Sequence, residues 1–174
     1  ATERVLMHMA DAIGHLLADQ VNHGGADAVQ LFDTWAGLLS VEDYQRIALP
    51  ATQRTIEVFR KNANHRVPLI HYAKGSGHLH NLIRTLDIDA LSLDWRDDLQ
   101  ANRMNFGDRY AFQGNLDPSR MHGTPKAAKM AAQRVLDQAG DAPGHVFNLG
   151  HGFAPGAQIE CVEAVLRLIT GESA

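Results

Sequence analysis

His151 has the most suggestive chemical surroundings in the sequence, because it lies between two glycines at the end of an apolar stretch. Residues 144–152 read Gly-His-Val-Phe-Asn-Leu-Gly-His-Gly, and residues 146–149 within them predict a short strand. Gly150 and Gly152 have no Cβ, so the backbone can turn sharply there and a ligand can approach closely. Parallel α/β folds hold their binding and catalytic residues at such strand ends. A turn in which His151 only caps a backbone carbonyl explains this stretch equally well.

Four more predicted strands, at residues 28–32, 67–72, 90–94 and 110–113, also end in polar side chains. The carboxyl ends of parallel strands meet at one edge, so the polar groups of all five strands should gather there. We therefore expect the His151 imidazole and the Thr34 hydroxyl to face one opening. The residues at the five strand ends are Asp33-Thr34, His71-Tyr-Ala-Lys74, Asp94-Trp95, Gln113-Gly-Asn115 and Asn148-Leu-Gly-His-Gly152.

Helical patterns separate these strands. Apolar residues recur at the helical period over residues 3–21, a helix interrupted near Pro50 should follow residue 40, and another should cover residues 99–106. Thr124 is a good N-cap for a helix that Gly140 ends. The alternation predicts an α/β fold with a parallel sheet and right-handed crossovers. Because a complete (β/α)8 barrel takes roughly 250 residues, five strands leave two possibilities, an open doubly wound sheet or the C-terminal part of a barrel.

The composition is that of one globular domain, which we expect to span residues 1–174. The chain is 45% hydrophobic and 21% charged, which suffices for a core. Its net charge of −4 argues against a general binder of nucleic acid or of anionic membranes. No apolar run approaches the roughly 20 residues that cross a bilayer. The single cysteine, Cys161, excludes an intramolecular disulfide, so we expect a reducing, cytoplasmic location.

Five motifs occur in order at the predicted strand ends. They are Gln30-Leu-Phe-Asp-Thr-Trp-Ala-Gly37, Val67-Pro-Leu-Ile-His-Tyr72, Leu93-Asp-Trp-Arg96, Gln113-Gly-Asn-Leu-Asp-Pro118 and Asn148-Leu-Gly-His-Gly152. In this order and at about these spacings they resemble the uroporphyrinogen decarboxylase family, and the likeness covers about residues 10–170. Each motif alone is weak, whereas the ordered set is specific.

The resemblance implies a fold and a reaction. The fold would be the (β/α)8 TIM barrel, of which this chain holds five C-terminal βα units, and the protein would be a cytoplasmic homodimer. The reaction would remove CO₂ from the four acetate side chains of uroporphyrinogen, giving coproporphyrinogen, without a metal or an organic cofactor. A carboxymethyl group on a pyrrole loses CO₂ once the adjacent ring carbon is protonated, because the cationic ring accepts the electrons. The protein must then bind carboxylates, donate a proton and stabilise the cation.

The same resemblance assigns three substrate-binding residues. His151 matches a substrate-binding histidine whose imidazole could donate to an acetate or propionate carboxylate. Thr34 stands where the family usually has serine; it keeps the hydroxyl, and its extra methyl crowds the pocket. Phe32 matches an aromatic residue that packs on the macrocycle, although an ordinary core role explains Phe32 equally well.

No catalytic residue can be assigned within the chain. The family's arginine-rich loop, the aspartate that binds the pyrrole N–H groups and the tyrosine beside it would lie upstream of residue 1. Asp94 belongs to another motif, and we expect it to fix its own loop by hydrogen bonds. The chain should therefore not turn over substrate alone. Two alternatives remain, a non-catalytic half-barrel that binds a porphyrinogen or is completed by a partner, and a relative of the cobamide-dependent methyltransferases.

Metal binding is not expected. His71, at the end of a predicted strand, is the best candidate ligand, and in the methyltransferase relatives a His-x-Cys at this strand and a later cysteine hold zinc. Here Ala73 follows Tyr72, and Cys161 lies in a predicted helix, where we expect a small buried residue. The two tryptophans at strand ends, Trp35 and Trp95, should pack between loops.

Overall fold

The structure is a computed structural model that describes residues 2–141 and 143–172. Residues 1–90 and 91–174 form two compact units. The first contains helix α1 (Thr2–Asn22), strand β1 (Val29–Asp33), helices α2 (Val41–Asp43) and α3 (Leu49–Asn62), strand β2 (Leu69–Ala73) and helix α4 (His80–Ile83). Strand β3 (Ala90–Ser92) crosses the boundary. The second unit continues with α5 (Leu99–Phe106), β4 (Ala111–Gln113), α6 (Pro125–Ala139), β5 (His145–Val146) and α7 (Ile159–Thr170).

The core of the first unit lies where α1 packs on α3 and both cover the sheet. Phe59 and Leu69 are completely buried there. Gly14 lets the helices approach closely, since a Cβ at this position would lie 2.6 Å from the Val58 Cβ. Asn22 joins the two helix ends, because its amide donates to the Asn62 carbonyl at 2.9 Å. These contacts hold α1 and α3 in a fixed arrangement against β1 and β2.

In the second unit, side-chain caps begin the helices where the sequence predicts them. The Asp98 carboxylate accepts the Ala101 N–H at 2.8 Å at the start of α5, and the Thr124 hydroxyl accepts the Ala127 N–H at 3.3 Å at the start of α6. Helix α5 spans the predicted residues 99–106. An oxygen acceptor at the N-cap satisfies one of the free N–H groups of the first turn.

The strands pair in chain order, and the ladders at both ends of that order are parallel. In the first unit β1 pairs with β2 from Val29 opposite Leu69 onward, and the Asp89 N–H donates to the Leu69 carbonyl at 2.9 Å as the chain enters β3. In the second unit the Leu93 N–H donates to the Gln113 carbonyl at 2.8 Å, and β4 pairs with β5. The strand order is β1-β2-β3-β4-β5. Helices alternate with these strands along the chain, which confirms the predicted α/β alternation.

The predicted extent of the last strand was wrong. Residues 146–149 were expected to form the last strand, but β5 comprises only His145–Val146, because its partner β4 ends at Gln113 and the ladder resumes only as an isolated bridge between Leu116 and Leu149. The helix that was predicted to be interrupted near Pro50 is irregular just before that residue. Pro50 itself lies in the first turn of α3, where a missing N–H costs little. The irregularity precedes it, as a π-helical stretch over Tyr44–Ala48. Among the residues described, no helix has the length and apolar character needed to span a membrane.

Candidate functional site

In the first unit, the loop after β1 presents Thr34 directly beyond the end of the strand. Thr34 is half-buried. The Asp33 carboxylate before it is placed to accept the backbone N–H groups of Trp35 and Ala36, which holds the turn. Burial raises the pKa of Asp33, and those two N–H groups oppose the shift. The Asp33 carbonyl also accepts the Lys74 N–H at 3.2 Å, so the loops that follow β1 and β2 support each other.

Phe32 lies on the surface of its unit. Its side chain is 65% exposed, and its ring meets Tyr72 edge-on with the ring centres 6.0 Å apart. An ordinary core role for Phe32 is therefore wrong, and an exposed aromatic face is available to pack on a ligand. Trp35 is 71% exposed, so the expectation that it packs between loops was also wrong; its position in a surface turn gives its indole few neighbours.

A largely apolar cleft of about 470 Å³ lies between α1, β1 and α3. Phe32 and Asp33 contribute to its wall, together with the side chain of His71 from β2. His71 is completely buried, and neither of its ring nitrogens makes a hydrogen bond of good geometry with the residues that the structure describes. Burial lowers its pKa to about 4; the nearby backbone of Leu31 opposes this shift, and His80 adds to it. His71 is therefore a neutral imidazole at physiological pH.

In the second unit, the loop after β3 is built around the buried carboxylate of Asp94. This carboxylate accepts the Arg96 side chain through two hydrogen bonds, from Nε and Nη2, each 2.7 Å long. It also accepts the Arg96 backbone N–H at 3.0 Å. These contacts confirm that Asp94 fixes its own loop, and they satisfy an ionised group that would otherwise be costly to bury.

Asn115 holds the same loop from the neighbouring strand end. Its side-chain amide donates to the carbonyls of Asp94 at 2.9 Å and of Asp97 at 2.7 Å. The sequence singles out Asn115 only as one polar residue after β4. This structural role was missed, since an asparagine after a strand does not identify its partners.

His151 lies in the bend that follows the isolated bridge after β5, beside the loop that Asp94 and Asn115 fix. The Gly150 N–H donates to the Leu116 carbonyl at 2.8 Å. A Cβ on Gly150 would overlap the Trp95 main chain, 2.6 Å from its Cα, so only glycine fits. The His151 and Trp95 rings face each other with centres 6.1 Å apart and planes tilted by 36°. Trp95 thus packs between loops as predicted, and half-buried His151 lies beside its indole.

All three predicted binding residues occupy loops or strand ends at the carboxyl side of their strands. Thr34 and Phe32 belong to the first unit and His151 to the second. Their convergence on one opening stays a prediction. In the first unit Thr34 offers a hydroxyl close in sequence to the exposed Phe32 ring, and in the second unit His151 offers an imidazole. Arg96, in the loop after β3, is held by the Asp94 carboxylate. The sequence motif contains Arg96 but does not indicate this contact.

The structure presents no arrangement for a metal in the part of the chain that it describes, where no group of three or more histidine, cysteine or acidic side chains converges. Cys161 is completely buried in α7, as predicted, and its thiol is 3.5 Å from the Gly123 carbonyl.

Comparison with known proteins gives a consistent family. Residues 1–171 match the family described as uroporphyrinogen decarboxylase. The uroporphyrinogen decarboxylase of Alcanivorax borkumensis is 38% identical, covering 94% of this chain and 48% of the relative. That of Methylococcus capsulatus is 37% identical, covering 96% and 49%. The chain thus spans about half the length of these curated relatives.

Among solved structures, a methyltransferase from Methanosarcina mazei superposes with a TM-score of 0.77 at 19% identity, covering 95% of this chain and 48% of that one. A B12-independent methionine synthase from Shewanella sp. W3-18-1 gives 0.69 at 11% identity, covering 98% and 56%. At these identities the likeness concerns the fold alone. It confirms the predicted fold class, an α/β fold of the (β/α)8 TIM-barrel family represented by five βα units.

Proposed function

We propose that this chain, which belongs to the uroporphyrinogen decarboxylase family, acts in the cofactor-independent decarboxylation of uroporphyrinogen to coproporphyrinogen. The observation that carries the proposal is the family match over residues 1–171, together with strand-end loops that present hydrogen-bond donors and an exposed aromatic ring. Thr34 and His151 would donate hydrogen bonds to substrate carboxylates, and Phe32 would pack on the macrocycle. The proton donor and the group that binds the pyrrole N–H atoms are assigned to no residue of this chain.

Binding of uroporphyrinogen III tests these three roles. Anaerobic isothermal titration with the chain should detect binding that Thr34→Val weakens about tenfold or more, because a hydrogen bond to a charged group contributes about 1.5–3 kcal/mol. Thr34→Ser keeps the hydroxyl and should retain the affinity. Thr85→Val is the matched control, since the exposed Thr85 hydroxyl donates to the Leu82 carbonyl of its own helix end at 2.7 Å. Equal affinities of the Thr34→Val and Thr34→Ser variants would exclude a hydrogen-bonding role for position 34.

Measuring coproporphyrinogen formation separates the proposed decarboxylase from a non-catalytic porphyrinogen-binding module. We expect the chain alone to bind the porphyrinogen without forming coproporphyrinogen, because the family's arginine loop and pyrrole-binding aspartate match no segment of it. Coproporphyrinogen formation, measured by chromatography after oxidation, at the rate of a full-length relative would contradict this expectation. Binding that persists without turnover even when the missing elements are supplied by a second polypeptide would favour the non-catalytic porphyrinogen-binding module.

A homodimer and a cytoplasmic location complete the proposal, and both rest on the family resemblance. Light scattering coupled to size-exclusion chromatography tests the dimer directly, since a mass near 19.1 kDa would be that of a monomer. The methyltransferase alternative is supported only by likeness of fold, whereas the curated relatives cited above bear the decarboxylase name.

A further inference from the structure

We propose that Trp95 is a positioning residue that holds the His151 imidazole in its carboxylate-binding orientation, and that the Asp94–Arg96 pair locks the Trp95 indole. The binding part of this inference rests on the proposed function, since it takes His151 as a group that contacts the substrate.

The backbone brings the two rings together. Gly150 lies so close to the Trp95 main chain that a Cβ there would overlap its nitrogen and lie 2.6 Å from its Cα. The loop after β3 and the bend before His151 are therefore in direct contact. The ring centres are 6.1 Å apart with a tilt of 36°, within the range in which aromatic rings attract each other beyond simple area burial.

Arg96 fixes the indole. Its guanidinium carbon lies 4.6 Å from the centre of the Trp95 ring, a distance at which a cation is attracted to the face of an indole. An arginine side chain that is 56% exposed would ordinarily sample many rotamers. Here the completely buried Asp94 carboxylate holds it through two hydrogen bonds of 2.7 Å.

The loop that carries this assembly is itself held in place. The Asn115 amide donates to the carbonyls at both of its ends, those of Asp94 and Asp97. The Asp94 N–H donates to the Asp97 carboxylate at 3.2 Å. The contacts thus run from the buried Asp94 carboxylate through the Arg96 guanidinium to the Trp95 indole, and from the indole to the neighbouring His151 ring.

This arrangement lowers the cost of binding. A free histidine side chain loses rotamer freedom when it binds a ligand, whereas one already restrained by a neighbouring ring loses less. Immobilising a side chain at an interface costs about 0.5–1.5 kcal/mol, so loss of the Trp95 restraint should weaken binding about two- to twelvefold.

NMR of the unsubstituted chain gives the first test. With the His151 signals assigned by their loss in His151→Gln, we expect cross-relaxation between imidazole and indole protons. Trp95→Leu should shift the His151 signals by removing the ring current, and Trp95→Phe, which keeps an aromatic ring, should restore part of the shift. Phe147→Leu is the matched control, because the Phe147 and His145 rings meet edge-on with their centres 6.4 Å apart. It should move the His145 signals and leave those of His151 in place.

Titration with uroporphyrinogen III gives the second test, with the urea stability of each protein measured alongside. Weaker binding by Trp95→Leu, recovery by Trp95→Phe and unchanged binding by Phe147→Leu would support the inference. Absence of the indole–imidazole cross-relaxation in the unsubstituted chain would overturn it without any variant that must fold. Binding by Trp95→Leu equal to that of the unsubstituted chain would also overturn it. If the unsubstituted chain binds no uroporphyrinogen, the proposed function and the binding role fail together, while the NMR result still decides whether Trp95 orients His151.

Discussion

Replacing His71 by leucine should make the chain less sensitive to mild acid. His71 is completely buried and lies at the wall of an apolar cleft, with no hydrogen-bond partner of good geometry among the described residues. Burial lowers its pKa from 6.5 to about 4, and this shift is reinforced by the nearby His80. The folded chain thus keeps His71 neutral at pH values where the unfolded chain protonates it.

The sign and size of the effect follow from proton linkage. Because the folded-state pKa is the lower one, stability is fully present above the unfolded pKa of 6.5 and is lost as pH falls toward 4. Across the whole range between the two pKa values, the free energy of unfolding falls by about 3 kcal/mol. About 2 kcal/mol of this loss occurs between pH 7 and pH 5. Leucine does not titrate, so between pH 7 and pH 5 the His71→Leu variant should lose about 2 kcal/mol less stability than the unsubstituted chain. At pH 7 it should be at least as stable, since an unpartnered polar group leaves the core.

Urea denaturation at pH 7 and pH 5 measures this difference directly. The measurement stops at pH 5 because carboxylates also change the stability at lower pH. Asp89 is one of them: burial raises its pKa, but the Leu69 N–H and two arginines lower the pKa overall. His23→Leu is the matched control, since the His23 side chain is 80% exposed, and it should follow the unsubstituted chain. If His71→Leu and the unsubstituted chain lose the same stability between the two pH values, His71 is not the buried neutral group described here.

Two substitutions of glycine test close backbone approaches. Gly150→Ala would place a Cβ 2.6 Å from the Trp95 Cα and should lower the free energy of unfolding in urea by roughly 1–3 kcal/mol or more. Gly152→Ala is the control and should be nearly neutral, because its Cβ would lie in open space. Equal losses of stability in the two variants would refute the contact between Gly150 and Trp95. Gly14→Ala should destabilise the chain although alanine favours helices by about 1 kcal/mol, because its Cβ would lie 2.6 Å from that of Val58. Val58→Ala in the same chain removes Cγ1, which would lie 2.8 Å from the new Cβ, and should relieve part of that cost. Strictly additive losses would contradict the explanation.

The sequence predicted the ends of a helix correctly where residues within the helix or directly beside it determine those ends. Helix α5 occupies the predicted residues 99–106, and α6 begins after the predicted Thr124 cap and ends before Gly140. Caps and helical periodicity act within one segment, so the sequence reveals them. The family resemblance, which drew on five segments at once, likewise gave the fold class.

Predictions failed where the burial or the strand pairing of a residue depends on neighbours that are distant in the sequence. Apolar residues 146–149 predict a strand, yet β5 ends at Val146 because β4 offers no continuous partner beyond Gln113. Phe32 and Trp35 are apolar side chains that a sequence pattern assigns as readily to a core as to a surface. Only their neighbours show that both rings are exposed. The buried, unpartnered state of His71 is equally invisible in the sequence.

The motifs of the second unit contact one another directly. Asn115 of the fourth motif holds the main chain of the third, where Asp94 and Arg96 fix Trp95. Gly150 of the fifth motif fits against Trp95 and thereby places His151 beside the indole. A change in any one of these segments removes a contact on which the next one depends. The residues that support the candidate binding histidine therefore extend over three strand ends.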